Sequence, residues 1–209
     1  MTPINLPPHA ALEYLTERAR DRTCPHLITV SGGTCSGKTT LVARLNARLT
    51  SDGFSTALVP LDEYYKDCDD PSFPQHEGSL ILDTPEAYHH DQFVSHVRDL
   101  CDGKPIKLPH YDLRQNRRLP DTRAVEPADF IVAEGLFATH FLQSQATPAF
   151  HIFMCDSPHA CLTRRIQRDI ETYHVSVAQV TEAFRTKILP HWDLQYRYNQ
   201  PHAHLMVES

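Results

Sequence analysis

Apolar positions alternate between two spacings along this chain, and the alternation sets its organisation. Residues 9–22 place Ala11, Leu12, Leu15 and Ala19 on one helical face, which predicts an amphipathic helix ended by Pro25. Leu27-Ile28-Thr29-Val30 follows as a short buried strand, then a glycine-rich segment, then a helix through Leu41, Val42, Leu45 and Leu49 that stops near Gly53. A second strand over residues 56–61 ends at Asp62, and residues 63–85 read as irregular. A helix over residues 85–101 is closed by Asp102-Gly103, and residues 106–112 alternate like a small edge ribbon. Further strands are expected at 130–133, ending in Glu134, at 150–154 and at 205–207, with helices at 158–173 and 176–189. Strands alternating with helices predict an α/β fold with a central parallel sheet and helices on both faces. In such sheets ligands lie beyond the carboxyl ends of the strands, where Ser31, Asp62 and Glu134 fall. The division expected is an N-terminal helical extension over 1–25 and a single domain over 26–209.

Composition narrows the partners. With 209 residues and 41% apolar content the chain can bury one sizeable core. A net charge of −6 argues against a nucleic-acid polymer, whose phosphates need a clustered basic surface. No apolar run approaches the ~18 residues of a membrane span. The six cysteines include no C-x-x-C, and the N-terminus shows no secretory signal, so reduced thiols in a cytoplasmic protein are expected. None of the fourteen histidines stands beside a second ligand pair at zinc-site spacing, so they read as surface residues. A homo-oligomer remains open.

The chemistry is concentrated in a few segments. Gly32-Gly33-Thr34-Cys35-Ser36-Gly37-Lys38-Thr39 is a phosphate-binding loop in its proper context, after a strand and opening a helix. Backbone N–H groups and the helix N-terminus would cradle the α/β-phosphates of ATP; Lys38 would reach the β/γ oxygens, and the Thr39 hydroxyl would ligate Mg²⁺. Cys35 lies where N–H dipoles could activate a thiol, although any small residue fits there. Asp62 is a candidate general base or a turn residue, and Glu134 a candidate Mg²⁺ ligand or a turn residue. Arg165 and Arg168 share a helical face beside Arg164 and could neutralise a transferring phosphoryl group; alternatively Arg165 pairs with Asp169 on a solvated surface. Trp192, Tyr196 and Tyr198 are candidates for stacking on a base or for packing.

Taken together, these segments resemble the uridine–cytidine kinase family, within the uridine kinase/phosphoribulokinase group. The loop from Ser31 to Thr40, Asp62-Glu63-Tyr64-Tyr65, residues 82–88, Pro109-His110-Tyr111-Asp112-Leu113, Glu134-Gly135-Leu136 and Arg164-Arg165-Ile166-Gln167-Arg168-Asp169 resemble its motifs in order and spacing. The resemblance implies a three-layer P-loop kinase fold and ATP- and Mg²⁺-dependent phosphorylation of a small-molecule nucleoside. It implies Asp62 as the base, aided by Lys38 and Arg168, with Thr39, Glu134 and Asp62 at the metal. ATP would be held by Gly32, Gly33, Thr34, Cys35, Ser36, Gly37, Lys38, Thr39 and Thr40. Asp83 and Arg165 would hold the ribose, with Tyr65, Tyr111 and Asn116 at the substrate. Three departures stand out. Residues 169–175 replace the family's lid arginines, with Val175 at one of them; Asn116 stands where the family reads the base with His; and the chain ends at Ser209, where members usually add a helix. A kinase of another small alcohol, such as nicotinamide riboside, and a nucleotide-binding regulator without turnover are the alternatives.

Overall fold

The computed structural model describes residues 2–23, 26–76 and 78–208; Pro25, the expected helix terminator, lies outside them. The chain opens with β1 (Ile4–Leu6) and α1 (Pro8–Arg20), whose proline occupies the first turn, where no intrahelical donor is needed. β2 (Leu27–Gly32) runs into the glycine-rich loop, and α2 (Lys38–Ser51) starts directly from it. β3 (Thr56–Pro60) stops one residue short of the expected end, and a 3-10 turn over Leu61–Tyr64 carries Asp62.

The segment expected to be irregular contains a small hairpin, β4 (Gln75–His76) with β5 (Ser79–Leu80). A separate 3-10 turn occupies Pro85–Ala87, so α3 (His90–Cys101) begins later than its sequence pattern suggests. β6 (Ile106–Asp112) pairs antiparallel with β7 (Arg117–Val125), a strand with no apolar alternation. β8 (Phe130–Glu134), α4 (Ala138–Leu142) and β9 (Ala149–Met154) follow, then α5 (Pro158–Tyr173), with its expected bounds. The helix expected over 176–189 is interrupted. α6 (Val177–Ala183) gives way to a π turn over Phe184–Ile188 and a 3-10 turn containing Pro190, which has no N–H to continue the ladder. α7 (Trp192–Asn199) and β10 (Leu205–Val207) complete the chain.

Six strands form one parallel sheet in the order β1-β10-β9-β2-β8-β3. The two-residue period of a strand sends its side chains alternately to two cores. Leu27, Val59 and Ile131 pack with Phe93, Val97 and Leu142 from α3 and α4. Ile28, Val132 and Ile152 pack with Leu15, Leu41 and Leu45 from α1 and α2. Helices therefore cover both faces. The N-terminal segment, expected to be a helical extension, also supplies the edge strand β1, and Ala11, Leu15 and Ala19 are buried in the second core. Among the described residues no helix is long and apolar enough to cross a membrane.

One expected surface histidine lies inside. His151 pairs in register with Thr29, and its Nδ1 is 2.8 Å from the Thr29 hydroxyl. That hydroxyl is 2.7 Å from the Thr139 hydroxyl, which accepts from Ser31 at 3.0 Å. These bonds satisfy polar groups that would otherwise be costly under α4.

Candidate active site

The loop after β2 is shaped by close approach. A Cβ on Gly33 would lie 2.7 Å from the Gln195 amide oxygen and 2.9 Å from the Trp192 ring, so glycine lets α7 pack directly on the loop and a larger residue would push these side chains aside. Gly37, with φ +91°, turns the backbone through the left-handed region into α2. Lys38 Nζ donates to the Gly33 carbonyl at 2.8 Å, and the Ser36 N–H donates to the same oxygen at 3.2 Å. Ser36 is 1% exposed, and its hydroxyl has no partner. An orphaned donor inside a loop of N–H groups at a helix N-terminus fits a phosphate oxygen.

The loop opens onto a cavity of about 770 Å³. Thr34, Cys35, Gly37, Lys38, Thr39 and Thr40 line one wall; Gly32, Gly33 and Ser36 of the same loop are not part of that lining. The turn after β3 contributes Asp62 and Tyr65, the segment before α3 contributes Asp83, and β8 contributes Glu134. The Thr39 hydroxyl donates to Glu134 at 3.1 Å. A hydroxyl touching a strand-end carboxylate, with Asp62 close enough to perturb that carboxylate, is an oxygen donor set suited to Mg²⁺, which keeps several waters.

The carboxylates are crowded. Burial pushes Asp62 up, against the Lys38 and Arg168 charges. Burial also raises Glu134; Lys38 opposes that rise and Asp62 adds to it. Asp83 is pushed up to about 6 by burial, with Arg165 and then Lys38 pulling it back. The resulting carboxylates are better proton acceptors than free ones, provided that nearby cations keep them ionised.

α5 forms the opposite wall. Arg164 Nε donates to the Cys35 carbonyl at 2.8 Å, and its Nη2 donates to Asp156 at 2.7 Å. Arg165 donates to the Thr34 hydroxyl at 2.8 Å and pairs with Asp169 at 3.2 Å. Arg168 pairs with the same carboxylate at 2.7 Å. The i,i+4 pair therefore exists, but Arg165 and Asp169 are largely buried at the cavity wall rather than on a solvated surface, and the more exposed Arg168 lines the cavity beside them.

Of the expected substrate residues, Tyr65, Asp83, Asn116 and Arg165 line the cavity and one does not. Tyr111 does not line the cavity. It is buried behind Tyr65, with ring centroids 5.5 Å apart, and its hydroxyl donates to the Lys66 carbonyl at 3.0 Å. Asn116 does line it, from the β6–β7 turn, where its φ is +49°. Asparagine tolerates that conformation better than most residues, so turn geometry alone already favours it. The packing alternative describes the C-terminal aromatics: Trp192 lies against Phe184, Tyr196 against Phe153, and Tyr198 against Phe137.

Sequence reasoning did not single out Arg114, Tyr173 or Lys187 as cavity residues. Arg114 lies over the Tyr173 ring at 5.4 Å and so joins the β6–β7 turn to the end of α5 across the cavity. Ala183 and Lys187 are one turn apart, a helical spacing that could have pointed to Lys187.

A parallel sheet with a phosphate loop after β2, carboxylates at neighbouring strand ends and an arginine-bearing helix across the cavity defines a P-loop kinase. The sequence profile of the phosphoribulokinase / uridine kinase family matches residues 27–208, and the chain belongs to that family. The uridine kinase of Leuconostoc citreum is 30% identical over 183 residues, which is 88% of this chain and 87% of that protein. Among solved structures, a possible uridine kinase from Bacillus stearothermophilus shares the fold with a TM-score of 0.65 at 17% identity, covering 95% of this chain and 98% of that one. D-glycerate 3-kinase from Cryptococcus neoformans does so with a TM-score of 0.59 at 14% identity, covering 96% and 95%.

Proposed function

We propose that the protein transfers the γ-phosphoryl group of ATP to the 5′-hydroxyl of a ribonucleoside, with uridine and cytidine as the first candidates. The observation that carries this reading is a single cavity joining Lys38 and Thr39 of the phosphate loop to Asp62, Asp83 and Arg165. In this scheme Asp62 takes the proton of the attacking hydroxyl as the new O–P bond forms and the bond to the β,γ-bridging oxygen breaks, releasing ADP. Lys38 and Arg168 stabilise charge on the transferring group, and Thr39 and Glu134 hold Mg²⁺. The bound metal supplies neutralisation of the phosphate charge. Asp83 and Arg165 hold the ribose hydroxyls, and Tyr65 and Asn116 face the rest of the acceptor.

The test is product formation from a panel of nucleosides and small alcohols with ATP·Mg²⁺, in wild type and Asp62→Asn. The wild type should release the nucleoside monophosphate and ADP in equal amounts. The Asn variant should lose roughly 10²–10⁴-fold in kcat while still binding ATP. An Asn variant with near wild-type turnover would remove Asp62 from the chemistry.

A second reading, a kinase of another small alcohol, draws on the acceptor end of the same cavity. Leu80, Leu82, Leu113 and Val175 give the cavity an apolar stretch beside Arg114, Asn116 and Gln179, a lining that is not specific to a pyrimidine edge. Turnover of nicotinamide riboside or another small alcohol with no pyrimidine product would favour it.

A further inference from the structure

Gln195, on α7, lies far from every motif in the sequence and yet reaches the phosphate loop. Its side chain packs over Gly33, where a Cβ would lie 2.7 Å from Oε1 and 2.8 Å from Nε2. The residue is 3% exposed, and its Oε1 is buried with no hydrogen-bond partner. Asn199 Nδ2 donates to the Gln195 carbonyl at 2.8 Å and to the Leu136 carbonyl at 2.9 Å, which ties this helix to the end of β8. A buried amide oxygen left unpaired costs stability, and folded proteins leave few such groups without a use.

Beside the amide lies a cleft of about 10 Å³, room for one water or one hydroxyl group. Its walls include Gly33, Thr34, Asp83, Leu136, Ile188 and Gln195. Thr34, Asp83, Leu136 and Ile188 also line the main cavity, so the cleft is a side notch of the site. Two hydrogen-bond acceptors, the Asp83 carboxylate and the Gln195 amide oxygen, border the notch; Thr34, whose hydroxyl already accepts from Arg165, and His191 border it too, and the rest of its wall is apolar. That combination calls for a donor from the ligand, and a hydroxyl is the donor of matching size.

We infer that Gln195 is an acceptor-binding, specificity-determining residue: with Asp83 it holds adjacent hydroxyls of the substrate, one of them seated in the notch. The inference rests on the ribonucleoside reading above and adds Gln195 to the groups that hold the ribose hydroxyls.

The experiment compares kcat/KM for a ribonucleoside and its 2′-deoxy and 3′-deoxy forms in the full chain with ATP·Mg²⁺, for wild type and Gln195→Met. Methionine keeps the length and removes the polar atoms, and Gln195→Leu repeats the comparison if the Met variant does not fold. The expected result is a drop of about tenfold in preference for the ribonucleoside over one of the deoxy forms, the worth of one hydrogen bond. The melting temperature should hold or rise, because an unpaired buried oxygen has gone. An unchanged preference overturns the inference, as does an equal fall for all three substrates with a lower melting temperature, which is the signature of packing against Gly33 alone. A wild type that phosphorylates no nucleoside overturns the parent reading and this inference with it; turnover with unchanged preference overturns the inference alone.

Discussion

Asp83 shows what a carboxylate buried at the cavity wall costs the fold. Its carboxyl titrates at about 6 in the folded chain against 3.8 for the free group, because burial outweighs the Arg165 and Lys38 charges. Between those two values the folded state holds a proton that the unfolded state has released. The group's stabilising contribution is therefore full below 3.8 and is lost as pH rises through about 6. At neutral pH the ionised form is a burden of about 1–3 kcal/mol, nearer the lower figure because the side chain borders an open cavity. Asp83→Asn should thus melt higher than wild type at pH 7.5 and equally at pH 3.5, by scanning calorimetry. On the proposed role, in which the ionised Asp83 accepts from the ribose hydroxyls, KM for the nucleoside should fall as pH rises from 5 to 7. A KM flat across that range would mean that Asp83 does not hold the acceptor.

At the level of elements, the β6–β7 hairpin and the end of α5 wall the cavity together and meet where Arg114 covers Tyr173. Asn116 sits in that hairpin's turn with φ +49° and lines the cavity, so a conformational role and the proposed recognition role coincide at one residue. Substitution can separate them. Asn116→Gly keeps the left-handed turn and removes the amide, whereas Asn116→Ala removes the amide and strains the turn by about 1 kcal/mol. If the amide reads the base, both variants should raise KM for uridine and cytidine, and only the Ala variant should lower the melting temperature. Unchanged KM in the Gly variant would leave Asn116 with a conformational role only.

Across the whole molecule, the sheet carries its own pH dependence. His151, between Thr29 and the stacked ring of His204, is held down to about 4 by burial, with the nearby His204 and His202 adding to the effect. The free group titrates at 6.5, so the unfolded chain takes up the proton first as pH falls. The stability from a neutral His151 is full above 6.5 and is lost on descending towards 4, by at most about 3 kcal/mol. Urea midpoints should fall between pH 7 and pH 4.5, and His151→Asn should flatten that slope by roughly one proton's worth. A slope identical in the variant would place the acid sensitivity elsewhere. His151 joins β9 to β2 and its backbone joins β10, since its N–H donates to His204 Nδ1 at 2.9 Å and its carbonyl accepts from His204 N at 2.8 Å. Protonation would therefore loosen the side of the sheet that ends in β1.

What the amino-acid sequence determined by itself was whatever contiguous residues encode. The five longer-patterned strands, α5, the phosphate loop and the carboxylates at neighbouring strand ends all follow from periodicity, turn chemistry and local motif spacing. Elements that owe their existence to a partner were not legible. β7 has no apolar face and is a strand because β6 supplies its ladder, and the three residues of β1 persist only through pairing with β10. The same limit governed the site. Tyr65 and Tyr111 lie in motifs of similar quality, yet only packing put one in the cavity wall and the other behind it. Gln195 reaches Gly33 solely because α7 docks on the loop. Local propensity fixes which segments are strands, helices and turns. Which side chains converge on one cavity depends on burial and pairing between residues far apart in the chain, and the folded structure alone decides that.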